Sequence, residues 1–365
     1  KDGLCNTTFT QSTGSWVVTV HGNFTAGAIA TTGQTICAGK TPGEIGSTTA
    51  ASGGDGSISY SWRSSADSYT AAISGATSAT YTPPALSTTT SYRRYANDGT
   101  CNTTSTASLG TWTITVSTPN PTGLTSGDYV WTGAVNTNWN NASNWVAFNG
   151  SNFAIPGSVP GLSNDVLFTT YGGTCGASTP VISSATGNCK DITIESGHTV
   201  VMSSSQILNV QGNWTNNGTF TAGDGTVEFN GNAPQTITSG SSSFNNITFN
   251  NTGSGNADIV LTDDLHVGGQ AIFTDGIVNT GSNKLVFGAS ASTNAGTASS
   301  FVDGKVEKTN CTGLFTMPTG NVVSRNLGSG NQTYVIWAPI GLNPASTSTV
   351  NARYFFSNEG LNTWW

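Results

Sequence analysis

The chain has 365 residues, with 11 Lys+Arg against 18 Asp+Glu, a formal net charge of −7 and a pI near 4.7. Charged side chains make up 8% of it, where an ordinary globular protein has about 25%, so the helix formers and i,i+4 ion pairs of a bundle or coiled coil are missing. The acidic balance leaves no basic footprint for nucleic acid, and no stretch approaches the roughly eighteen apolar residues of a membrane-spanning helix.

The most apolar run, Tyr334 to Leu342, is short and broken by Pro339. No basic start with an apolar core opens the chain, so any signal peptide is expected to be gone. Disorder is disfavoured by 10 Trp, 15 Phe and 9 Tyr. These sit in short runs such as Trp16-Val-Val-Thr-Val20 and Trp112-Thr-Ile-Thr-Val116, punctuated by Gly, Asn and Ser, which read as strands and turns. An all-β, secreted, multidomain protein is the expectation.

Residues 1–20 recur as 97–116 at a constant offset of 96, with 12 of 20 positions identical, among them Cys5/Cys101, Trp16/Trp112 and Val20/Val116. A period near 96 is the size of one β-sandwich module. Residues 1–20 therefore read as the last hairpin of a preceding module, with Trp16, Val18 and Val20 on one apolar face. Two strands alone are marginal in water, so this face needs a sheet. Either a longer array supplies it, or a neighbouring copy does and the segment is an assembly strand.

The complete module runs over 21–116. Its landmarks are Thr35-Ile-Cys37-Ala-Gly39, Ser57-Ile-Ser-Tyr-Ser-Trp62, Ser78-Ala-Thr-Tyr-Thr-Pro-Pro84 and Thr90-Ser-Tyr-Arg-Arg-Tyr95. Tyr60 and Trp62 alternate with serines, as in a strand with one buried face. Of the pair Arg93-Arg94, alternation puts one outward as a surface charge. Asn97-Asp98-Gly99 signals a hairpin turn. In this order, the landmarks resemble the Ig-like repeats of large cell-surface proteins exported by the bacterial type IX pathway, including gliding-motility adhesins. The resemblance implies an Ig-like β-sandwich. Residues 117–127, with two prolines and two glycines, read as a semi-stiff linker.

From 128 to 311 short strand patterns alternate with tight Gly and Asn turns, which suggests a solenoid with a Trp-rich cap at its start. Leu208-Asn-Val-Gln-Gly212 echoes Leu265-His-Val-Gly-Gly269 at an offset of 57, and two further pairs repeat at 58. Asn245-Asn246 and Asn250-Asn251 are expected to stack as amide ladders between rungs. The opening Trp131-Thr-Gly133…Trp139…Asn144-Trp145, the stretch Cys189 to Gly197 and the run Gly225 to Gly231 resemble the parallel β-helix of the same surface proteins. Phe315 to Gly320 and Val350 to Phe355 resemble the segment that usually comes after it, giving a partial β-sandwich or cap over 312–365. The chain ends at Trp364-Trp365 without the secretion-signal domain that the resemblance implies, which reads as a window of a longer protein. A row of further Ig-like sandwiches is the alternative topology.

Six cysteines without a Cys-x-x-Cys pair, and only three histidines, point to disulfides rather than zinc. Repeat logic pairs Cys101 with Cys37, closing a loop of about 64 residues worth roughly 4 kcal/mol in the chain-entropy picture. Cys175 and Cys189 are near neighbours and are expected to staple one loop. Cys5 is left for a cysteine of a preceding module. Cys311 is either buried and free or bonded to a partner.

Signals for chemistry are weak. His266 beside Asp263-Asp264 is the most suggestive spot, but adjacent strand residues point to opposite faces. No Gly-x-Ser-x-Gly, His-Glu-x-x-His or phosphate-loop pattern occurs, and no carboxylate cluster of the kind a glycan-cleaving β-helix needs is visible. Asp55-Gly56 and Asp224-Gly225 read as turns rather than calcium loops. Trp131, Trp139 and Trp145 either cap the first rung, the preferred reading, or form a platform for glycans. No cofactor or metal is expected. The resulting expectation is a non-enzymatic, extracellular adhesin or filament segment for surface attachment, with gliding and biofilms as settings. Neighbouring repeats, copies of itself and surface glycans are its candidate partners. A glycan-binding module and a glycan-cleaving β-helix enzyme are the competing readings.

Overall fold

The computed structural model describes residues 4–5, 7–119, 121–203, 205–253, 258–326, 331–344 and 346–353. The protein is all-β; two three-residue 3₁₀ turns, Ser65–Asp67 and Ala142–Asn144, are the helical elements among the described residues. Among the described residues no helix is long and apolar enough to cross a membrane. The chain forms two compact units: Lys1–Gln34, Gly43–Pro83 and Thr90–Ile114 in the first, and Thr35–Pro42, Pro84–Thr89 and Thr115–Trp365 in the second.

The module is built from nine strands: β1 (Gly22–Thr25), β2 (Ala28–Ile29), β3 (Gln34–Cys37), β4 (Ser47–Thr49), β5 (Ser52–Gly54), β6 (Ser59–Ser64), β7 (Thr90–Asn97), β8 (Thr106–Ala107) and β9 (Trp112–Ser117). One sheet runs β3-β9-β7-β6 with β8 beside β7, while β1 with β5 and β2 with β4 make two-stranded sheets. Its apolar core buries Ile29, Ile45, Trp62, Tyr92 and Ile114, with a separate small cluster at Ala26, Ala51 and Ala96. A buried arginine supplements it. Arg94 is fully buried, not a surface charge, and its guanidinium donates to the carbonyls of Ala26, Ala28, Thr49 and Ala79 and to the hydroxyls of Ser47 and Ser108. It also lies over the Tyr60 ring at 4.8 Å. Arg93 is the outward member, stacked on Tyr69 at 4.2 Å.

The expected hairpin in residues 1–20 is not formed: no strand occurs among described residues 4–20, and Trp16 is 91% exposed with Val18 and Val20 beside it also exposed. The repeat explains why. The matching residues of β9 lie between β3 and β7, with Ile114 and Val116 buried, and β9 already fills that place.

The second unit holds the solenoid. Ile192, Trp214, Ile237 and Leu261 occupy one parallel column, so successive turns take 22, 23 and 24 residues. A second parallel sheet stacks Cys189, Val210, Phe229, Phe249 and Phe273 in register. A third pairs Val181–Ile182, Thr199–Met202 and Thr219–Thr221. Alternation sends the column residues inward to one continuous core. The echo at 57 and 58 residues is not the rung. Leu208 lies in the second sheet, whereas Leu265 pairs with Leu285 in the first, because strands of any face share the same Val/Ile/Phe and Gly pattern. An amide pair stacks between rungs at a position not expected, Asn209 donating to Asn188 at 2.9 Å, while Asn250, one of the expected positions, donates to the Glu228 carboxylate at 2.9 Å. Asn246 donates to a backbone carbonyl, and Asn251 donates to the Ala233 carbonyl and to the Gln235 side-chain amide.

At the start of the solenoid, Trp145–Phe148 pairs antiparallel with Tyr129–Trp131, which in turn pairs parallel with Val166–Phe168. This covers the first open edge. At the far end, Thr319–Asn326 and Asn331–Trp337 form an antiparallel pair, and Ser348–Ala352 returns antiparallel onto Val302–Cys311. Phe355 and Trp364-Trp365 lie outside the described residues.

Candidate functional site: an acidic cleft on the first turns of the solenoid

A cleft of about 790 Å³ lies within the second unit, lined by Asp128, Asp165, Asp191 and Glu195 together with Tyr129 and Tyr171. Each aspartate precedes a column residue. Tyr129, Val166 and Ile192 are in parallel register, so Asp128, Asp165 and Asp191 stack one rung apart, roughly 4.8 Å each. Asn213 and Thr236 continue the same column. The sequence alone showed no carboxylate cluster, because these residues are 37 and 26 positions apart and only the coil of the chain aligns them.

All four carboxylates accept hydrogen bonds from the framework. Asp128 accepts from Thr125 through its backbone N–H at 2.5 Å and its hydroxyl at 3.1 Å. Asp165 accepts from Lys190 Nζ and from the Asp191 N–H, both at 3.2 Å. Asp191 accepts from the Asn213 N–H at 2.7 Å, and Asn213 Oδ1 in turn accepts from the Thr236 N–H at 2.8 Å. Glu195 accepts from the Thr169 hydroxyl at 2.5 Å. The Lys190 ammonium is held protonated by its bond to Asp165 and then by that carboxylate's charge. Among the described residues no three His, Cys, Asp or Glu side chains are placed to hold a metal ion.

Next to the cleft, His198 is buried with its Nε2 2.8 Å from the Thr170 hydroxyl. Burial lowers its pKa, opposed by Glu195 and by a bond to the Gly176 backbone. This contact was not visible in the sequence, since Thr170 and His198 are one rung apart. His266 has no such setting: Asp263 accepts from Ser239 and Gly240 on the preceding rung, and Asp264 from the Lys284 N–H on the next one.

Trp131, Trp139 and Trp145 are each fully buried and packed with Phe168, Trp145 meeting the other three rings edge-on, with ring centroids 4.9 to 6.3 Å apart. They cap the solenoid from inside, and a glycan platform is ruled out because no ring face reaches solvent. Asp55 closes a turn, accepting from the Ser57 N–H at 2.8 Å.

The disulfide pattern also differs from expectation. The one bond among the described residues joins Cys37 to Cys175, both in the second unit, with Cα atoms 5.3 Å apart. Cys37–Cys101 does not form: Cys37, at the end of β3, is bonded to Cys175, and Cys101 is left free and exposed. Cys175–Cys189 does not form because Cys189 points into the solenoid core. Burial pushes the Cys189 thiol well above its usual range. Cys101 is free and exposed, Cys5 is exposed, and Cys311 is free and buried.

Comparison with known proteins gives one match. A family model described as a domain of unknown function, DUF8696, matches residues 25–118. No curated protein and no solved structure matches the chain.

Proposed function

We propose that this chain is a non-enzymatic structural segment of an extracellular surface adhesin or filament, serving attachment of the cell. The observation that supports it most is where the polar side chains go. The cleft carboxylates, the Asn188–Asn209 pair, the Glu228–Asn250 pair and the Asp263 and Asp264 side chains all bond framework groups, most of them on a neighbouring rung. Such side chains stiffen a rod rather than wait for a substrate. The disulfide and the scarcity of lysine and arginine suit an oxidising, protease-rich exterior. Export by the type IX route, and roles in gliding or biofilms, rest on the resemblance of the landmarks. Protease shaving of intact source cells tests the location: peptides from this chain should be released. Their absence, with the protein present in lysed cells, overturns the reading.

A second reading, a glycan-cleaving β-helix, is favoured by the acid-lined cleft alone. Paired carboxylates can serve as acid and nucleophile when suitably spaced. A reducing-end assay over a glycan panel decides it. Turnover abolished by Asp165→Asn or Asp191→Asn would establish the enzyme, and no turnover is the result expected here.

A further inference from the structure

The bond from Cys37 to Cys175 shows what a junction of this module looks like. The Ala38 N–H donates to the Ser117 carbonyl at 3.1 Å, so Cys37 is held beside the last residue of β9. The receiving loop carries Cys175 and lies against that same residue: a Cβ added to Gly172 would collide with the Ser117 side chain. Cys37 thus reaches out, from the end of the closing strand, to a cysteine on a loop in the first turns of the solenoid.

The repeat places the same parts at residues 4–20. At the offset of 96, β9 corresponds to Trp16–His21 and Ser117 to His21. A module copy closed by this strand would hold its own Cys37-equivalent beside His21. The neighbour of His21 is Gly22, which pairs with Gly54 across β1 and β5. Gly54 is in turn packed on the loop after β7, since a Cβ there would collide with the Asp98 carboxylate. The Asp98 Oδ1 accepts the N–H groups of Thr100, Cys101 and Asn102, at 3.2, 2.6 and 2.7 Å. It fixes the loop with Cys101 exposed and unpaired. The exposed faces of Trp16, Val18 and Val20 are those which the copy's sheet would cover, as β3 and β7 cover Ile114 and Val116.

We propose that Cys101 is the receiving thiol of a covalent junction with a second copy of this module, whose closing strand is Trp16–Val20 and whose Cys37-equivalent forms the disulfide. Modules would then be riveted head to tail, each Cys37 bonded to the next receiving loop, with Cys175 playing that part for the solenoid. The reaction is thiol–disulfide exchange. A thiolate of the pair attacks a disulfide oxidant, releasing one of its thiols; the second cysteine displaces the other. One S–S bond forms, and two electrons and two protons pass to the oxidant.

The inference rests on the surface reading only for an oxidising compartment, which a glutathione redox buffer replaces in the test. A copy of residues 21–96 is placed directly ahead of Lys1, so that 1–20 completes it in register, and the extended chain is folded in oxidised and reduced glutathione. Non-reducing peptide mapping should recover the added copy's Cys37 joined to Cys101, with Cys37–Cys175 unchanged. Residues 16–20 form no strand in the 365-residue chain, and their hydrogen exchange should be at least tenfold slower in the extended chain than in it. In the extended chain carrying Cys101→Ser, the added cysteine should become alkylatable while residues 16–20 stay protected. The proposal is overturned if Cys101 is alkylated by iodoacetamide in the native extended chain. It is equally overturned if the added cysteine bonds Cys5, or if residues 16–20 remain unprotected in a chain whose Cys37–Cys175 bond has formed. These outcomes leave the surface location untouched, and failure of the shaving experiment would leave the junction standing.

Discussion

Arg94 shows how a single buried side chain can tie separate stretches of a module together. Six backbone and hydroxyl oxygens, contributed by four separate stretches of the module, converge on one guanidinium with no carboxylate bonded to it. Desolvation lowers its pKa, and the Tyr60 ring opposes that. Arg94→Ala would leave buried carbonyls unsatisfied and should cost about 3 kcal/mol or more. Arg94→Lys should recover little, because an ammonium cannot span the same fork. Urea denaturation followed at the module's tryptophans checks both. His198 gives a pH signature at the solenoid. Its folded pKa lies below the unfolded value of 6.5 because burial disfavours the charged ring. The unfolded chain therefore takes up the proton first as pH falls. Stability is full above pH 6.5 and drops as the pH descends from there toward the folded pKa. Replacing His198 with Gln should flatten the slope below pH 6.5, read as melting temperature against pH. A thiol reagent gives a third check at this scale: Cys101 should react in the native state, and Cys189 and Cys311 only after unfolding.

At the scale of the element, the rung is the unit and the inward column its energy. Trp214 fills its position against Phe220, Phe244 and Phe229 at 4.8, 5.1 and 6.3 Å. Its indole N–H is buried without a hydrogen-bond acceptor. Trp214→Ala should cost about 3–5 kcal/mol through the cavity it leaves. Trp214→Phe loses volume but also removes the unsatisfied donor, so its cost should stay near about 1.5 kcal/mol or below. The pair of variants, compared by chemical denaturation, separates packing from polar satisfaction. Gln235 marks the opposite case, a fully buried amide on the same rung stack. It donates to Val210 and Gly212 and accepts from Gly231 and Asn251, so its hydrogen-bonding is met and the column tolerates it.

For the whole molecule, parallel strands hydrogen-bonded on both sides leave few segments that a protease can extend into its active site. Lys284 and Lys305 lie on paired rungs, and Lys190 is tied to Asp165. Trypsin under native conditions should leave all three uncut, as mass spectrometry of the digest would show; rapid cleavage there would mean that the rungs open readily. Reducing Cys37–Cys175 releases a loop of 138 residues, for which the chain-entropy picture gives about 5 kcal/mol. Calorimetry with and without reductant should show the lower transition temperature in the reduced protein.

The sequence by itself determined the all-β class, the 96-residue repeat and the presence of a solenoid. Each depends on composition or on spacing along the chain, which local propensity and alternation transmit directly. The rung length, the acidic column, the Thr170–His198 contact, the burial of Arg94 and the true partner of Cys37 were decided only by the tertiary structure. Asp128, Asp165 and Asp191 become neighbours because turns of unequal length bring them into one register. Cys37 bonds Cys175 across a sequence separation of 138 residues. Such pairings are set by loop lengths and by which surfaces meet, and no periodicity within a strand carries that information.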